Sequence, residues 1–214
     1  MSASRENIFS AVRRNLGNRN PNFAADYERI SRDYEVAGKL SPEERLHLLE
    51  ERLQDYGTGV YRCSPEQVTA TISQVLAVRG VQSVLLPKDF SGSFLPPKAI
   101  EMIYDDNLSY AEIDRCSGVL TTCTVAIALT GTIILRHSAD EGRRALTLIP
   151  DYHLCIVQAE QVVETVPEAI RRMEEFKTAP ITTISGPSAT SDIEMTRIKG
   201  VHGPRTLDVI LVVS

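Results

Sequence analysis

From Gly118 onward the chain alternates short apolar runs, rich in β-branched residues, with polar or glycine-marked turns. Val119 to Thr122, Thr132 to Leu135, Leu154 to Val157, Ile181 to Ile184 and Leu207 to Val213 are the expected strands, and Val84-Leu85-Leu86 reads as one more. A strand with one wet face alternates apolar and polar residues, whereas consecutive apolar residues mark strands covered on both faces. Pro167 to Phe176 reads as a helix, and Val125 to Leu129 as a short helix. Covered strands interleaved with helices predict an α/β fold built on a largely parallel sheet flanked by helices.

Upstream, two helix starts are marked by the chemistry of capping. Ser41-Pro42-Glu43-Glu44 and Ser64-Pro65-Glu66-Gln67 each place Ser at the cap, Pro in the first turn and Glu or Gln three residues past the cap. They predict helices over 42–55 and 65–79, the second closed by Gly80. Ile8, Val12 and Leu16 recur at four-residue spacing, so residues 4–16 read as an amphipathic helix. Gly17 to Phe23, with Asn18, Asn20, Pro21 and Asn22, reads as an exposed loop. The expected organisation is an N-terminal helical extension and linker over 1–39, followed by one α/β domain over 40–214.

Composition narrows the function classes. The formal net charge is −5, and the basic pairs Arg13-Arg14, Arg143-Arg144 and Arg171-Arg172 lie apart among acids, so no basic stripe for nucleic acid is present. The longest apolar stretch, Val125 to Leu135, is interrupted by Thr130, Gly131 and Thr132 and falls short of a membrane span. The polar start, Met1 to Glu6, does not form a signal-peptide core, and the expected location is the cytoplasm. Cys63, Cys116, Cys123 and Cys155 include no C-x-x-C pair. Ligands for zinc or an iron–sulfur cluster usually come from such tight pairs, so neither a metal site nor a cluster is expected in this chain.

Three loops beside predicted strands are candidates for chemistry, because α/β sheets bind ligands beyond the carboxyl ends of their strands. In Thr130-Gly131-Thr132 a glycine between hydroxyls offers donors to an anion, a plain reversing turn being the alternative. In Ser185-Gly186-Pro187-Ser188, Ser188 is a potential cap, and Asp192 and Glu194 follow it as potential acid and base. Those two carboxylates share a face if the segment is extended and diverge if it is helical. In Gly200-Val201-His202-Gly203-Pro204, His202 is a candidate general base or merely a loop hydrogen-bonding group. Arg143 and Arg144 after Gly142 are candidate carboxylate or phosphate ligands, with surface pairing to Asp140 and Glu141 as the competing role. Signatures for dinucleotide binding, a P-loop or a nucleophile elbow are missing.

Taken in order, Gly118 to Leu135, Gly142-Arg143-Arg144 with Leu148 and Pro150, His153, Ile181 to Ser188 with Asp192-Ile193-Glu194, and Gly200 to Pro204 resemble the LutC/YkgG-type lactate-utilization (LUD-domain) family. The opening Ser4-Arg5-Glu6-Asn7-Ile8 is similar to the start of many members. The resemblance implies a fold like that of the NagB/RpiA/CoA-transferase group. It also implies a part in oxidising L-lactate to pyruvate beside LutA-like and LutB-like partners, the latter carrying the iron–sulfur clusters. Read through the family, Thr130, Gly131, Thr132, Arg143, Arg144, Gly186 and Ser188 would bind a small anionic substrate, with His202, Asp192 and Glu194 as catalytic candidates. The competing expectation is a stand-alone CoA-transferase-like or sugar-phosphate-isomerase-like enzyme. Against the transferase stands Leu129, where many relatives have Glu, because Leu cannot form a thioester.

Overall fold

The computed structural model describes residues 3–16, 22–90, 94, 100–176, 178–190, 198–200 and 202–213. The chain divides into two compact units, Met1–Tyr34 and Glu35–Ser214. The first holds α1 (Ala3–Leu16) and α2 (Phe23–Glu28), neither of which buries a residue. The stripe expected on α1 is present but open, with Ile8, Phe9, Val12 and Leu16 all exposed. Residues 17–21 of the expected loop lie outside the described residues, and Phe23 already begins α2.

The second unit is built on a six-stranded sheet in the order β1-β12-β7-β4-β2-β3, and every neighbouring pair is parallel. Its strands are β1 (Gly59–Cys63), β2 (Ser83–Leu86), β3 (Glu101–Tyr104), β4 (Val119–Thr121), β7 (Tyr152–Gln158) and β12 (Thr206–Val212). Both faces are covered, as the consecutive apolar runs require. Leu154, Ile156, Ile210 and Val212 point to a core closed by Val68, Ile72, Val75 and Leu76 of α4 (Val68–Val78). Cys155, Val157, Val209 and Leu211, one residue out of phase, point to a second core closed by Leu46, Leu49 and Leu53 of α3 (Pro42–Asp55).

Local chemistry sets the helix starts. Ser41 accepts from the Glu44 amide through its hydroxyl (3.3 Å), while its own amide donates to the Glu44 carboxylate (2.8 Å), so α3 begins where its capping residues predict. At Ser64 the hydroxyl turns to Glu66 instead (2.6 Å), and Pro65–Gln67 forms a 3₁₀ turn that leads into α4. A further capped helix, α5 (Tyr110–Asp114), starts at Ser109.

One sequence expectation is corrected. Val125 to Leu129 is not a helix: Val125–Ile127 is strand β5, antiparallel to β6 (Thr132–Leu135). With β8 (Val162–Val163) and β9 (Thr182–Ile184) these strands form a second sheet in the order β8-β5-β6-β9. Ala126, Ile133 and Leu135 face the α3 core, while Val125, Ile127 and Ile134 pack beneath Ala169 of α6 (Val166–Met173). Burial on both faces makes a three-residue strand wholly apolar, and such a run reads equally well as a buried helical turn. A short antiparallel pair, β10 (Ala189–Thr190) and β11 (Ile198–Lys199), flanks a segment outside the described residues.

Candidate functional site

Two of the three candidate loops converge. The turn after β9 and the loop before β12 are tied by backbone bonds from Ser188 N to Pro204 O (2.8 Å) and from Gly200 N to Ser188 O (3.0 Å). The Ser188 hydroxyl accepts from the His202 amide (3.0 Å). Between them lies a cavity of about 220 Å3, lined by Arg144, His153, Ser185, Gly186, Ser188 and His202 among others. Arg144, Gly186, Ser188 and His202, distant in sequence, thus share one cavity.

Arg144 is exposed, and among the described residues its Nη1 reaches only Thr147, at the carbonyl (3.3 Å) and the hydroxyl (3.2 Å). Among the described residues its guanidinium has no acidic partner within ion-pair distance. Arg143 behaves differently. Its guanidinium grips Asp105 through two bonds (2.7 and 2.8 Å) and also donates to the Leu108 carbonyl. This pair ties the loop after β6 to the end of β3, and Arg143 is not among the described residues lining the cavity.

The Thr130-Gly131-Thr132 turn joins β5 to β6 and approaches the cavity from behind. The Thr132 hydroxyl lies 2.8 Å from that of Ser185 and 2.7 Å from that of Thr130, making a chain of three hydroxyls that ends at the cavity wall. Gly131 has φ +58°, and a Cβ there would come within 2.8 Å of Arg52 Cβ and 3.0 Å of the Arg52 carbonyl carbon. The glycine therefore serves close packing of the turn against α3. Leu129, half exposed, stands at the start of this turn. Asp192 and Glu194 lie outside the described residues.

His153 is the residue that loop-based reasoning passes over. It sits second in β7, 1% exposed, with Nε2 2.8 Å from the Thr121 hydroxyl. The Thr121 hydroxyl in turn donates toward Cys155 Sγ (3.9 Å), and that thiol donates to the Thr122 carbonyl (3.6 Å). With the Thr121 hydrogen directed to Cys155, the matching tautomer of the neutral ring has Nε2 as donor and Nδ1 as acceptor, and no described residue bonds Nδ1. Burial lowers the His153 pKa to about 4, so the ring is neutral near pH 7. The sequence signal was one imidazole inside an otherwise apolar strand. Nearby, His137 donates from Nδ1 to the Gly142 carbonyl (2.8 Å) and accepts the Thr182 hydroxyl at Nε2 (2.9 Å), holding a third wall residue in place.

The cavity does not lie where strand direction alone would put it. His153 and Leu207 are the second residues of β7 and β12, so it opens at the amino ends of these parallel strands. Its loops follow β9 of the small sheet and precede β12, which is why the carboxyl-end rule does not apply to them.

Residues 46–212 match the LUD domain. The chain is 44% identical over 181 residues to lactate utilization protein C of Deinococcus radiodurans, covering 84% of each chain. It is 30% identical over 189 residues to lactate utilization protein C of Macrococcus caseolyticus, covering 81% of this chain and 80% of that one. A crystal structure of a DUF162 family protein from Deinococcus radiodurans superposes with a TM-score of 0.71 at 37% identity, covering 82% of this chain and all of the other. With a match spanning both sheets and every strand that lines the cavity, the chain belongs to the LUD-domain family.

Proposed function

We propose that the protein is a lactate-utilization component of the LutC kind, which supports oxidation of L-lactate to pyruvate together with LutA-like and LutB-like partners. The names carried by its relatives support this reading. Oxidation removes two electrons and two protons from lactate. In this scheme iron–sulfur clusters of the LutB-like partner would supply the acceptor for both electrons and the C2 proton would leave to solvent, while this chain would hold the substrate and take the hydroxyl proton.

The observation that carries the reading is the Arg144 guanidinium, without an acidic partner among the described residues, on the wall of a small cavity that also presents hydroxyls and histidines. A cavity of about 220 Å3 suits a small organic acid and falls below the roughly 300–1,000 Å3 of sites for larger ligands. Arg144 would pair with the substrate carboxylate through its planar fork. The neutral His153 would accept the 2-hydroxyl at Nδ1, a bond that lactate can make and pyruvate cannot, since the keto oxygen has no proton to donate. Ser188 would supply a further hydroxyl, and His202, exposed at the loop, would exchange the released proton.

Lactate-dependent dye reduction by the complex purified through a tagged copy of this chain tests the scheme. Arg144→Ala should raise KM for lactate roughly tenfold or more, the cost of a lost charge-assisted bond. His202→Ala should abolish turnover without unfolding the chain. Wild-type kinetics in both variants would exclude this cavity as the lactate site.

A further inference from the structure

A second and larger cleft, of about 630 Å3, opens at the carboxyl ends of β4 and β7, the end of a parallel sheet where ligands ordinarily bind. Its volume falls within the range for metabolite- and cofactor-sized ligands. Its walls come from the turn after β4, the loop after β6, the end of β7 and the last turn of α6. Among the described residues it shares no lining residue with the Arg144 cavity.

The hydrogen-bonding capacity of these walls is unevenly used. Glu141, 1% exposed, accepts from the Thr124 hydroxyl (2.5 Å) and from the amides of Arg136 (2.5 Å) and Ser138 (3.4 Å), so its charge pins the loop. The Gln161 amide group bonds the Cys123 carbonyl (2.5 Å) and the Gln158 amide (2.8 Å). Cys123 donates to Gln161 (3.5 Å); its contact with Cys155, and then burial, push the thiol well above its ordinary pKa, so it is protonated. Thr122 donates to the Asp140 carbonyl (3.4 Å), and Asp140 is itself partnered. The acceptors of the inner wall are therefore committed to protein groups, and Glu175 stands exposed.

The donors are not committed in the same way. Arg136 places its guanidinium carbon 3.8 Å from the centroid of the Phe176 ring, a cation–π contact that holds the head group at the cleft, and it has no acid in ion-pair distance among the described residues. Arg172 spends one N–H on the Glu160 carbonyl (2.6 Å) and likewise has no acid among the described residues. The Ser138 hydroxyl has no described hydrogen-bond partner. Two guanidinium edges and a hydroxyl offer more donors than the two oxygens of one carboxylate can take, and match the several oxygens of a phosphate.

From this arrangement we infer a second ligand site at the carboxyl ends of β4 and β7, which binds a phosphate-bearing, metabolite-sized ligand between Arg136 and Arg172. The site is independent of the lactate reading, because it uses none of the same residues.

Calorimetric titration of the full chain with inorganic pyrophosphate at low salt tests it. Saturable binding is expected in the wild type, roughly tenfold weaker or lost in Arg136→Gln and in Arg172→Gln, and retained in Arg144→Gln. Circular dichroism of each variant checks that the fold persists. Three results would overturn the inference: no binding to the wild type, equal binding in Arg136→Gln and Arg172→Gln, or a loss confined to Arg144→Gln, which would put the anion in the other cavity.

Discussion

His153 concentrates the chemistry of the small cavity in one buried ring. Its pKa lies at about 4 in the folded chain and returns to the ordinary 6.5 when the chain unfolds and the ring is hydrated. Above pH 6.5 neither state binds the proton, and stability is unaffected. As pH falls from 6.5 to 4, the unfolded state takes up a proton that the folded state refuses, so stability declines by about 3 kcal/mol across that window. His153→Gln keeps an amide that can donate to Thr121 and removes the titration. Denaturant midpoints at pH 7 and pH 4.5 should therefore fall further in the wild type than in the variant. An equal fall in both would show that other groups govern the acid limb. Gly131 makes a related point: its positive φ and close approach to Arg52 answer a packing demand at the turn.

At the scale of elements, the sheet is clamped to α4 by one buried ion pair. Asp208, the third residue of β12, is 0% exposed and takes two bonds of 2.7 Å from Arg79, the C-cap of α4. The Tyr152 hydroxyl of β7 adds a third (3.1 Å), and burial beside that carboxylate raises the phenol above its ordinary pKa. The end of a helix and two adjacent strands are thus joined at one carboxylate. Arg79→Ala strands Asp208 as a buried charge and should cost about 2–4 kcal/mol, at the lower end for such pairs because Arg79 is partly screened by solvent. Adding Asp208→Asn should restore part of the loss, because the stranded charge disappears. A double variant no more stable than Arg79→Ala in urea melts would argue that packing of the arginine stem, and not the charge, is what matters.

At the scale of the whole molecule, α1 and α2 bury no residue, so their loss removes no core. A chain lacking residues 1–34 should melt cooperatively within about 3 °C of the full chain, the shift that ~1 kcal/mol produces at this size. A much larger drop would mean that the second unit depends on the first. The sequence already carried the α/β class, because β7 and β12 hold apolar residues at consecutive positions, as strands covered on both faces do, and such runs alternate with helices. It also determined the start of α3, since Ser41 and Glu44 satisfy each other within one turn. It marked the loops carrying Arg144, Ser188 and His202. Contacts between segments far apart in the chain set the rest. Val125–Ile127 became a strand because β6 and α6 cover it; β1 and β3 form the sheet edges, where mixed exposure blurs the pattern. Arg143 and Arg144 parted because Asp105, on another strand, takes the first. His153 meets Thr121 across 32 residues, and the two cavities lie at opposite ends of the parallel strands. Local spacing encodes turns and caps, but contacts between distant strands are set by which strand pairs with which, and only the folded chain makes that choice.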